Sequence, residues 1–256
     1  MKIIGIIPAR MAATRFPNKP MALIEGMPMI GHCYFRSKMS SLLTDVFVAT
    51  CDEEIYDYIN NIGGKAVMTS YDHERATERS AEALINIEKE TGQQFDIIVM
   101  IQGDEPLINP EMINESVKPL ISGENQVSNL MVSLNCIEEA KNPNFVKVVT
   151  SDNGNALYMS RELIPSPSKF KDAIQYYRQL GLIAFSRKAL LKFIDLPTTR
   201  LEIIESIDMN RYLEHQFPIR MSVTNFVADS VDTIEDLDRV RIKMTTDKLY
   251  NEYKLL

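Results

Sequence analysis

The stretch Ile3-Ile4-Gly5-Ile6-Ile7-Pro8-Ala9-Arg10 opens the chain with a short β-branched apolar run that stops at a proline and an arginine. A run of this kind, without polar alternation, is typical of a strand buried on both faces of a parallel sheet. Three further runs predict such strands, at Val46–Ala49, Ala66–Met68 and Ile97–Ile101. Segments with helical spacing separate them, at Pro28–Met39, Asp52–Ile62 and Thr77–Glu90. This alternation predicts an α/β fold with a mostly parallel sheet and helices on both of its faces.

A different pattern occupies approximately residues 130–186. Its strand-like pieces are Leu130–Leu134, Val146–Thr150, Ala156–Ser160 and Leu180–Phe185. The sequence Asp152-Asn153-Gly154 is typical of a turn between two strands. We therefore predict one domain spanning 1–256 that carries a smaller antiparallel insertion. Beyond the insertion we predict helices at Leu201–Leu213 and Thr233–Lys248, with a strand between them at Arg220–Phe226.

The composition excludes several classes of function. The chain has 256 residues, 45% of them hydrophobic, and a formal net charge of −7, which argues against a nucleic-acid binder because such proteins need a basic surface. No apolar stretch approaches the ~18–20 residues that span a bilayer, so we expect no membrane insertion. Cys33, Cys51 and Cys136 lack zinc-site or disulfide spacing, which favours a reducing, cytoplasmic location.

The loop after the first predicted strand is the first candidate site, because open α/β sheets bind ligands at the carboxyl ends of their strands. It carries Arg10, Arg15 and Lys19 within ten residues, and small residues between them allow a ligand to approach the backbone. These charges suit a polyphosphate, although a solvated basic loop would have the same composition. The glycine patterns of dinucleotide-binding folds and P-loops, and the serine elbow of acyl hydrolases, are missing from the sequence.

Two aspartates are candidate metal ligands, since carboxylates bind the hard cations that neutralise the charge of a bound polyphosphate. Asp104 follows the strand Ile97–Ile101 in the segment Gln102-Gly103-Asp104-Glu105-Pro106, where it could also simply form a turn. Asp232 precedes the last predicted helix, with Glu235 three residues later, so helix capping is the competing interpretation. Arg161 could bind a carboxylate through its fork of donors or form a surface salt bridge.

Thirteen short segments carry a family resemblance: Ile7-Pro8-Ala9-Arg10, Lys19-Pro20, Pro28-Met29-Ile30, Val48-Ala49-Thr50, Thr77-Glu78-Arg79, Gln102-Gly103-Asp104-Glu105-Pro106, Asn142-Pro143-Asn144, Val146-Lys147-Val148-Val149, Ala156-Leu157-Tyr158, Ser160-Arg161, Ile164-Pro165, Leu180-Gly181 and Val231-Asp232-Thr233. In these segments the sequence resembles the CMP-Kdo synthetases, also called 3-deoxy-manno-octulosonate cytidylyltransferases, which are sugar nucleotidyltransferases of the GT-A-like fold. The segments follow the family's order over nearly the whole chain.

The resemblance implies a reaction and the residues that serve it. It implies transfer of CMP from CTP to the anomeric hydroxyl of a 3-deoxy-2-keto sugar acid, with release of pyrophosphate, for lipopolysaccharide or capsule synthesis. It further implies Mg²⁺ bound by Asp104 and Asp232, a homodimer formed through the 130–186 insertion, and catalysis by Arg10, Lys19, Asp104 and Asp232. The nucleotide would meet Pro8, Ala9, Arg10, Arg15, Lys19, Asp72, Thr77 and Arg79. The acceptor would meet Gln102, Arg161, Gln179, Glu202 and Glu205.

The chain departs from the family pattern mainly where the acceptor is expected, at Ser166, Gln179, Ile183 and Met209, and also at Ala76, Ala228 and Ser230. The residues expected to serve the chemistry are retained. We therefore expect a cytidylyltransferase whose acceptor is Kdo or a Kdo-like acid, with ordinary Kdo the poorer substrate. Two alternatives remain open: a related enzyme that uses a non-sugar acid such as a phosphonate, and a catalytically idle nucleotide-binding regulator.

Overall fold

The computed structural model describes residues 1–256 except 13–15, 170–171, 227–228 and 255–256. The chain divides into two compact units, the first formed by residues 1–114 and 228–256 and the second by residues 115–227. None of the helices in the described parts of the chain combines the length and the apolar composition that crossing a membrane requires.

The described secondary structure comprises strands, α-helices and one 3₁₀ helix, Lys19–Met21. The strands are β1 (Ile3–Ala9), β2 (Leu23–Ile24), β3 (Met27–Pro28), β4 (Asp45–Thr50), β5 (Ala66–Met68), β6 (Ile97–Met100), β7 (Val127–Ser133), β8 (Lys147–Thr150), β9 (Ala156–Ser160), β10 (Tyr177–Ser186) and β11 (Arg220–Thr224). The helices are α1 (Met29–Lys38), α2 (Glu53–Asn61), α3 (Ala76–Thr91), α4 (Pro110–Ile121), α5 (Ile137–Ala140), α6 (Arg187–Asp195), α7 (Arg200–Glu205), α8 (Met209–Glu214), α9 (Ile234–Met244) and α10 (Tyr250–Tyr253).

Parallel strands form the centre of the first unit, as predicted. β1 pairs in parallel with β4 on one side and with β6 on the other, and β4 pairs in parallel with β5. Ile4, Ile6 and Ile7 are fully buried, which explains why the opening run of the chain is apolar without alternation. Because the strands are parallel, the residues that follow β1, β4 and β6 lie at one edge of the sheet.

The end of the chain returns to the first unit. The helix predicted over Thr233–Lys248 ends at Met244, and the short helix α10 follows it. The hydroxyl of Tyr253 in α10 bonds to His32 at 2.8 Å and accepts a hydrogen bond from Arg36 at 3.1 Å, both in α1. Arg36 also forms a buried ion pair with Asp247. These contacts fasten the C-terminal segment to α1.

The second unit contains the antiparallel pairing predicted for residues 130–186. β10 pairs antiparallel with β7 and β8, and β8 pairs antiparallel with β9. The Asp152-Asn153-Gly154 turn is confirmed, and Gly154 adopts a φ of 79° that favours glycine. β11, which the sequence also predicted, runs parallel to β7, so the strands of this unit form a mixed arrangement.

The helix predicted over Leu201–Leu213 is wrong as a single element, because it divides into α7 and α8. Ser206 ends α7 in the left-handed conformation, with a φ of 53°. The guanidinium of Arg161 donates to the backbone carbonyls of Glu205 at 2.8 Å and Ser206 at 3.3 Å, which satisfies acceptors that a continuous helix would use internally.

Helices α4 and α6 were not predicted. α4 contains an internal proline, Pro119, a residue that sequence patterns associate with helix ends.

Candidate active site

A pocket of about 350 Å³ lies in the first unit, at the carboxyl ends of its parallel strands. Its lining comes from four segments that are far apart in sequence. Those segments contribute Pro8, Ala9, Arg10, Ala12, Phe16, Lys19 and Pro20; His73, Glu74, Arg75, Ala76 and Arg79; Gln102, Gly103 and Asp104; and Asp232. The pocket therefore gathers the four residues predicted to serve catalysis. Arg15 lies outside the described residues.

Close packing at Gly103 brings the ends of β1 and β6 together. A Cβ atom at position 103 would lie 3.0 Å from the backbone oxygen of Pro8 and 3.3 Å from the side chain of Ile30. The backbone oxygen cannot give way as a flexible side chain would, so a larger residue would force the two segments apart. The glycine in the Gln102-Gly103-Asp104 motif thus allows Asp104 to lie beside the loop that follows β1.

Lys19, Asp104 and Asp232 form the lysine–aspartate cluster. The ammonium nitrogen Nζ of Lys19 lies 2.6 Å from Oδ2 of Asp104 and 3.5 Å from Oδ1 of Asp232. It also donates to the backbone oxygen of Val231 at 2.9 Å. Burial by itself lowers the pKa of Lys19, but attraction to Asp104 and Asp232 and hydrogen bonds with them outweigh it, so the pKa is raised above its ordinary value. The lysine is therefore charged at neutral pH and is shared by two carboxylates.

Main-chain contacts hold the two aspartates together. The amide of Val231 donates to the backbone oxygen of Asp104 at 2.9 Å, which joins the segment after β6 to the segment before α9. The capping interpretation of Asp232 is wrong, because Thr233 is the N-cap of α9 and forms a capping box with Asp236. The Asp232 side chain instead contacts Lys19. The sequence contained this signal, since Thr233 and Asp236 have the spacing of a capping box.

The backbone of Lys19 is fixed independently of its side chain. Lys19 opens the 3₁₀ helix Lys19–Met21, preceded by Asn18 in the left-handed conformation with a φ of 58°. The amide of Asn18 donates to the oxygen of Met11 at 3.2 Å, and the amide of Ala22 donates to the oxygen of Lys19 at 3.1 Å. The loop therefore presents the lysine side chain from a defined position.

Asp52 is a site residue that the sequence reasoning assigned only to the start of a helix. It follows β4 and is the N-cap residue of α2, yet its side chain makes no cap hydrogen bond there. Its Oδ2 atom accepts instead from the amide of Met11, at 2.8 Å. Asp52 therefore positions the loop that carries Arg10. Its location directly after a predicted parallel strand was the signal that could have identified it.

The segment from 69 to 79 forms another wall of the pocket. Arg79 is buried, and its guanidinium donates to the Thr69 hydroxyl at 2.5 Å and to the backbone oxygens of Ser70 and His73 at 3.2 and 3.3 Å. Arg10 is exposed and donates to the same His73 oxygen at 3.4 Å. Helix α3 begins beside these residues, and its first amides add positive potential that suits an anion.

The predicted nucleotide-binding residues divide into two groups. Those that line the pocket are Pro8, Ala9, Arg10, Lys19 and Arg79. Asp72 and Thr77 are not among its described lining residues: Asp72 is exposed and bonds to Ser70, and Thr77 is buried against Met100. Phe16, Glu74 and Arg75 also line the pocket, and the last two belong to the segment 72–79 that the family resemblance places beside the nucleotide. Ala76, noted as a departure from the family pattern, lines it too.

In the second unit, two predicted acceptor residues contact each other in what we call the glutamate-centred cluster, formed by Lys147, Tyr158, Ser160, Arg161 and Glu205. The Glu205 carboxylate accepts from the Tyr158 hydroxyl at 2.8 Å, the Ser160 hydroxyl at 2.7 Å and the Arg161 amide at 2.8 Å. Burial by itself raises the pKa of Glu205, but these hydrogen bonds outweigh it, so the pKa is lowered. Arg161 in turn caps α7, as described above.

The other predicted acceptor residues have varied surroundings. Glu202 is fully buried and pairs with Arg211 through two contacts of 2.6 and 2.7 Å. Gln179 donates to the side-chain oxygen of Asn129 at 2.8 Å, beside an irregularity in β10. Gln102 lines the pocket of the first unit. Their contacts with an acceptor stay predictions.

Two of the positions that depart from the family pattern are buried within the second unit. Ile183 is 3% exposed and Met209 is 1% exposed, so both side chains contribute to packing there. Ser166 is exposed. Ala228 lies outside the described residues. The expected shift in acceptor preference therefore stays a prediction.

The lysine–aspartate cluster is the candidate metal site. Among the described residues, no group of three or more His, Cys, Asp or Glu side chains is arranged to hold a metal ion. Mg²⁺, however, is usually bound by one or two carboxylates together with substrate phosphates, rather than by a cage of protein ligands alone. Asp104 and Asp232 already converge on one cation, the ammonium of Lys19. Their arrangement fits a divalent ion that completes its coordination on a bound triphosphate.

Comparison with known proteins bears on the chemistry of this pocket. A family model described as cytidylyltransferase matches residues 4–224. A 3-deoxy-manno-octulosonate cytidylyltransferase of Trichlorobacter lovleyi is 40% identical over 255 residues, which cover 95% of this chain and 99% of the relative. One of Fusobacterium nucleatum subsp. nucleatum is 42% identical over 241 residues, covering 94% and 96%. A solved structure of CMP:2-keto-3-deoxy-manno-octonic acid synthetase complexed with CTP superposes with a TM-score of 0.87 at 33% identity, covering 96% of this chain and 99% of that one.

Proposed function

The chain belongs to the 3-deoxy-manno-octulosonate cytidylyltransferase family, and from this premise we propose that it transfers CMP from CTP to the anomeric hydroxyl of Kdo or a Kdo-like acid. The observation that carries the proposal is the shared pocket of Arg10, Lys19, Asp104 and Asp232 in the first unit. Cations there match the phosphates of a nucleotide, and paired carboxylates match a divalent ion. Neither feature alone would distinguish this reaction from simple anion binding.

The chemistry forms one bond and breaks one. The anomeric oxygen of the acceptor bonds to the α-phosphorus of CTP, and the bond from that phosphorus to the oxygen that bridges it to the β-phosphorus breaks. Pyrophosphate leaves, and the hydroxyl proton passes to solvent water. Arg10 and Lys19 hold the triphosphate by charge-assisted hydrogen bonds, and the amides at the start of α3 add to the positive field. Asp52 fixes the loop that carries Arg10. Orientation and electrostatic stabilisation supply most of the acceleration in such a reaction.

Mg²⁺ is part of this proposal, with Asp104 and Asp232 as its protein ligands. When bound, the ion neutralises negative charge on the phosphate oxygens during the transfer. The two aspartates are linked by the backbone bond from Val231 to Asp104, so they are held together before any ligand enters.

Pyrophosphate release tests the proposal directly. The purified protein is incubated with Mg²⁺, each of the four ribonucleoside triphosphates, and a panel of Kdo, amino-substituted and deoxy analogues, other 2-keto acids and a phosphonate. We expect release that requires CTP, a sugar acid and Mg²⁺, and that stops with a chelator. The CMP conjugate should be identified by mass spectrometry. CTP binding without release for any acceptor would favour the idle regulator, and release with the phosphonate alone would favour the non-sugar enzyme.

The same panel tests the acceptor preference. The sequence departures at Gln179, Ile183 and Met209 support a shift away from ordinary Kdo, because Ile183 and Met209 offer no polar group to the hydroxyls of a sugar. Each acceptor hydroxyl left without a hydrogen bond would cost about 1–3 kcal/mol. We expect kcat/KM for Kdo to fall below that of at least one related acid. A value for Kdo that equals or exceeds every other acceptor would remove the proposed shift.

We also propose a homodimer formed through residues 130–186 and a reaction located in the cytoplasm, where CTP is available. Leu157, in that segment, is 62% exposed, and an interface there would remove its apolar side chain from water. Light scattering after size exclusion should give twice the mass of one chain. Leu157→Glu should move the protein toward the monomer, whereas Ile85→Glu on α3, where the isoleucine is 43% exposed, should not. A monomeric parent protein would refute the dimer.

A further inference from the structure

The ammonium of Lys19 occupies the position between the two proposed metal ligands. The Lys19 side chain is 15% exposed, and its Nζ atom lies 2.6 Å from Asp104 and 3.5 Å from Asp232. A cation that bridges two partly buried carboxylates offsets the repulsion between them. The side chain that is expected to bind phosphate therefore does not point at an open anion site here. It is paired with the residues expected to bind the metal.

We propose that Lys19 is a placeholder cation, which offsets the negative charge of Asp104 and Asp232 until a divalent ion replaces its ammonium and the ammonium transfers to the nucleotide phosphates. This inference rests on the proposed function, because it assumes that the pocket receives a metal ion and a triphosphate. It adds that lysine and metal compete for the same carboxylate oxygens. Productive binding of metal and nucleotide would then be coupled through one side chain.

The local structure allows such an exchange without rearrangement of the backbone. The position of Lys19 is fixed by the 3₁₀ helix and by the bonds from Asn18 to Met11 and from Ala22 to Lys19. The two aspartates are joined by the bond between the Val231 amide and the Asp104 oxygen, which does not involve the lysine side chain. Rotation of a long flexible side chain is therefore enough to free both carboxylates for a metal.

Once a metal ion displaces the Lys19 ammonium from the two carboxylates, the phosphates of a bound nucleotide can accept it. Moving from the two carboxylates into water would cost the ammonium its charged partners, Asp104 at 2.6 Å and Asp232 at 3.5 Å. The pocket that Lys19 lines also contains Arg10 and the beginning of α3, which favour a triphosphate. Bound phosphates would supply new anionic partners as the metal takes the old ones. The coupling is reciprocal. A bound metal ion frees the ammonium for the phosphates, and bound phosphates lower the free-energy cost of displacing the ammonium from the carboxylates.

Metal binding without nucleotide is the decisive measurement. Mn²⁺ serves as the probe, and electron paramagnetic resonance of the free ion gives its dissociation constant. Lys19→Met removes the ammonium while keeping an unbranched side chain, and it should tighten Mn²⁺ binding by about tenfold or more, since the ion no longer displaces a paired cation. Arg10→Met removes a charge from the same pocket, and Lys65→Met removes a lysine paired with the single aspartate Asp45. Both controls should stay within about threefold of the parent protein.

One further variant and the salt dependence locate the ion. Lys19→Met combined with Asp104→Asn should lose the tightened binding, because the added affinity depends on the carboxylate. Raising the salt concentration should leave the ratio of the Mn²⁺ dissociation constants of the parent and Lys19→Met largely unchanged. Salt screens repulsion between distant charges, but it does not prevent a metal ion and an ammonium from competing for the same oxygens. Thermal unfolding, recorded with and without Mn²⁺, verifies that the variants fold. It should show a larger Mn²⁺-induced rise in Tm for Lys19→Met than for the parent.

Nucleotide binding separates failure of this inference from failure of the proposed function. CTP binding is measured by calorimetry with Mg²⁺ present, where the displaced ammonium should contact the phosphates, and Lys19→Met should bind CTP more weakly than the parent. If neither the parent nor Lys19→Met binds CTP but Lys19→Met still binds Mn²⁺ more tightly, the proposed function fails, whereas displacement of the lysine by the metal ion stands. Equal or weaker Mn²⁺ binding by Lys19→Met, or tightening that Arg10→Met reproduces in full, would overturn the placeholder role.

Discussion

Each compact unit contains a lysine with several hydrogen-bond acceptors, and the two lysines differ in the acceptors they use. Lys19 in the first unit contacts two carboxylates and one backbone oxygen. Lys147 in the second unit is fully buried and donates to three backbone oxygens, those of Asn142 at 2.9 Å, Phe145 at 2.7 Å and Arg161. One ammonium is shared between side chains, whereas the other is enclosed by the main chain.

The pKa values of the two lysines follow this difference. The carboxylates raise the pKa of Lys19 in spite of burial, whereas burial lowers the pKa of Lys147. Carboxylates can exchange one cation for another, and backbone oxygens that hold a loop in place cannot be released without disturbing that loop. We infer that the lysine–aspartate cluster serves binding and chemistry, and that the glutamate-centred cluster serves mainly the architecture of its unit.

The largest expected effect is on catalysis by the first cluster. Asp104→Asn should reduce kcat/KM with Mg²⁺ by about a thousandfold, because loss of a metal ligand removes several kcal/mol of transition-state stabilisation. Asp45→Asn is a matched control, since Asp45 is also paired with a lysine and its side chain, like that of Asp104, is 26% exposed. Steady-state kinetics should show near-parental activity for the control. Equal losses in both variants would mean that general charge, rather than the site, matters.

The second effect is on stability and belongs to the second cluster. Lys147→Met should lower the free energy of unfolding by about 2–4 kcal/mol, because three backbone oxygens lose their donor. Lys188→Met on the exposed face of α6 should change it by less than about 0.5 kcal/mol. Urea denaturation measures both. If Lys147→Met were as stable as Lys188→Met and lost activity instead, the architectural role of Lys147 would be refuted.

The sequence was sufficient to predict the sheet of the first unit and to single out two residues at the edge where its strands end. Buried parallel strands leave a distinctive apolar run, and residues that follow such strands meet at one edge for geometrical reasons. Arg10 and Asp104 were found in this way. The pairing of Lys19 with both aspartates could not be predicted, since residues 19, 104 and 232 meet only through the packed fold.

The second unit was predicted less completely, and particular contacts explain why. The division of the helix at Ser206 depends on Arg161, which lies more than forty positions earlier and caps α7 with its side chain. A pattern confined to the helix itself cannot contain this information. Glu205 was predicted to meet an acceptor through resemblance alone, and the donors from Tyr158, Ser160 and Arg161 are visible only in the folded unit.

A smaller effect concerns the pH dependence of the second cluster. Because the pKa of Glu205 is lowered by its donors in the folded state, its contribution to stability is present above its ordinary pKa of 4.5 and is lost as the pH falls through the lowered folded value. The stability difference between the parent and Glu205→Gln should therefore shrink as the pH is lowered from 6 toward 3. Tyr158→Phe removes one of the hydrogen-bond donors to Glu205, so the pKa of Glu205 should be lowered less. The pH range over which the stability difference shrinks should then be narrower. A stability difference between the parent and Glu205→Gln that stays constant with pH would contradict the lowered pKa of Glu205.

The smallest expected effect compares two helix caps, one in each compact unit. The Thr233 hydroxyl accepts from the amide of Asp236 at 3.2 Å, and the Ser186 hydroxyl accepts from the amide of Ala189 at 3.2 Å. Thr233→Ala and Ser186→Ala should therefore each cost about 1 kcal/mol of stability.

The functional consequences of the two caps should differ. Thr233 directly follows Asp232, so loss of its cap loosens a carboxylate that contacts Lys19, whereas Ser186 begins α6 in the second unit. Outer-sphere changes of this kind weaken metal binding by roughly tenfold. Thr233→Ala should thus need more Mg²⁺ for half-maximal activity, while Ser186→Ala should keep the parental requirement despite equal destabilisation. If the two variants shift the Mg²⁺ requirement equally, the effect comes from stability alone and the α9 cap has no part in positioning Asp232.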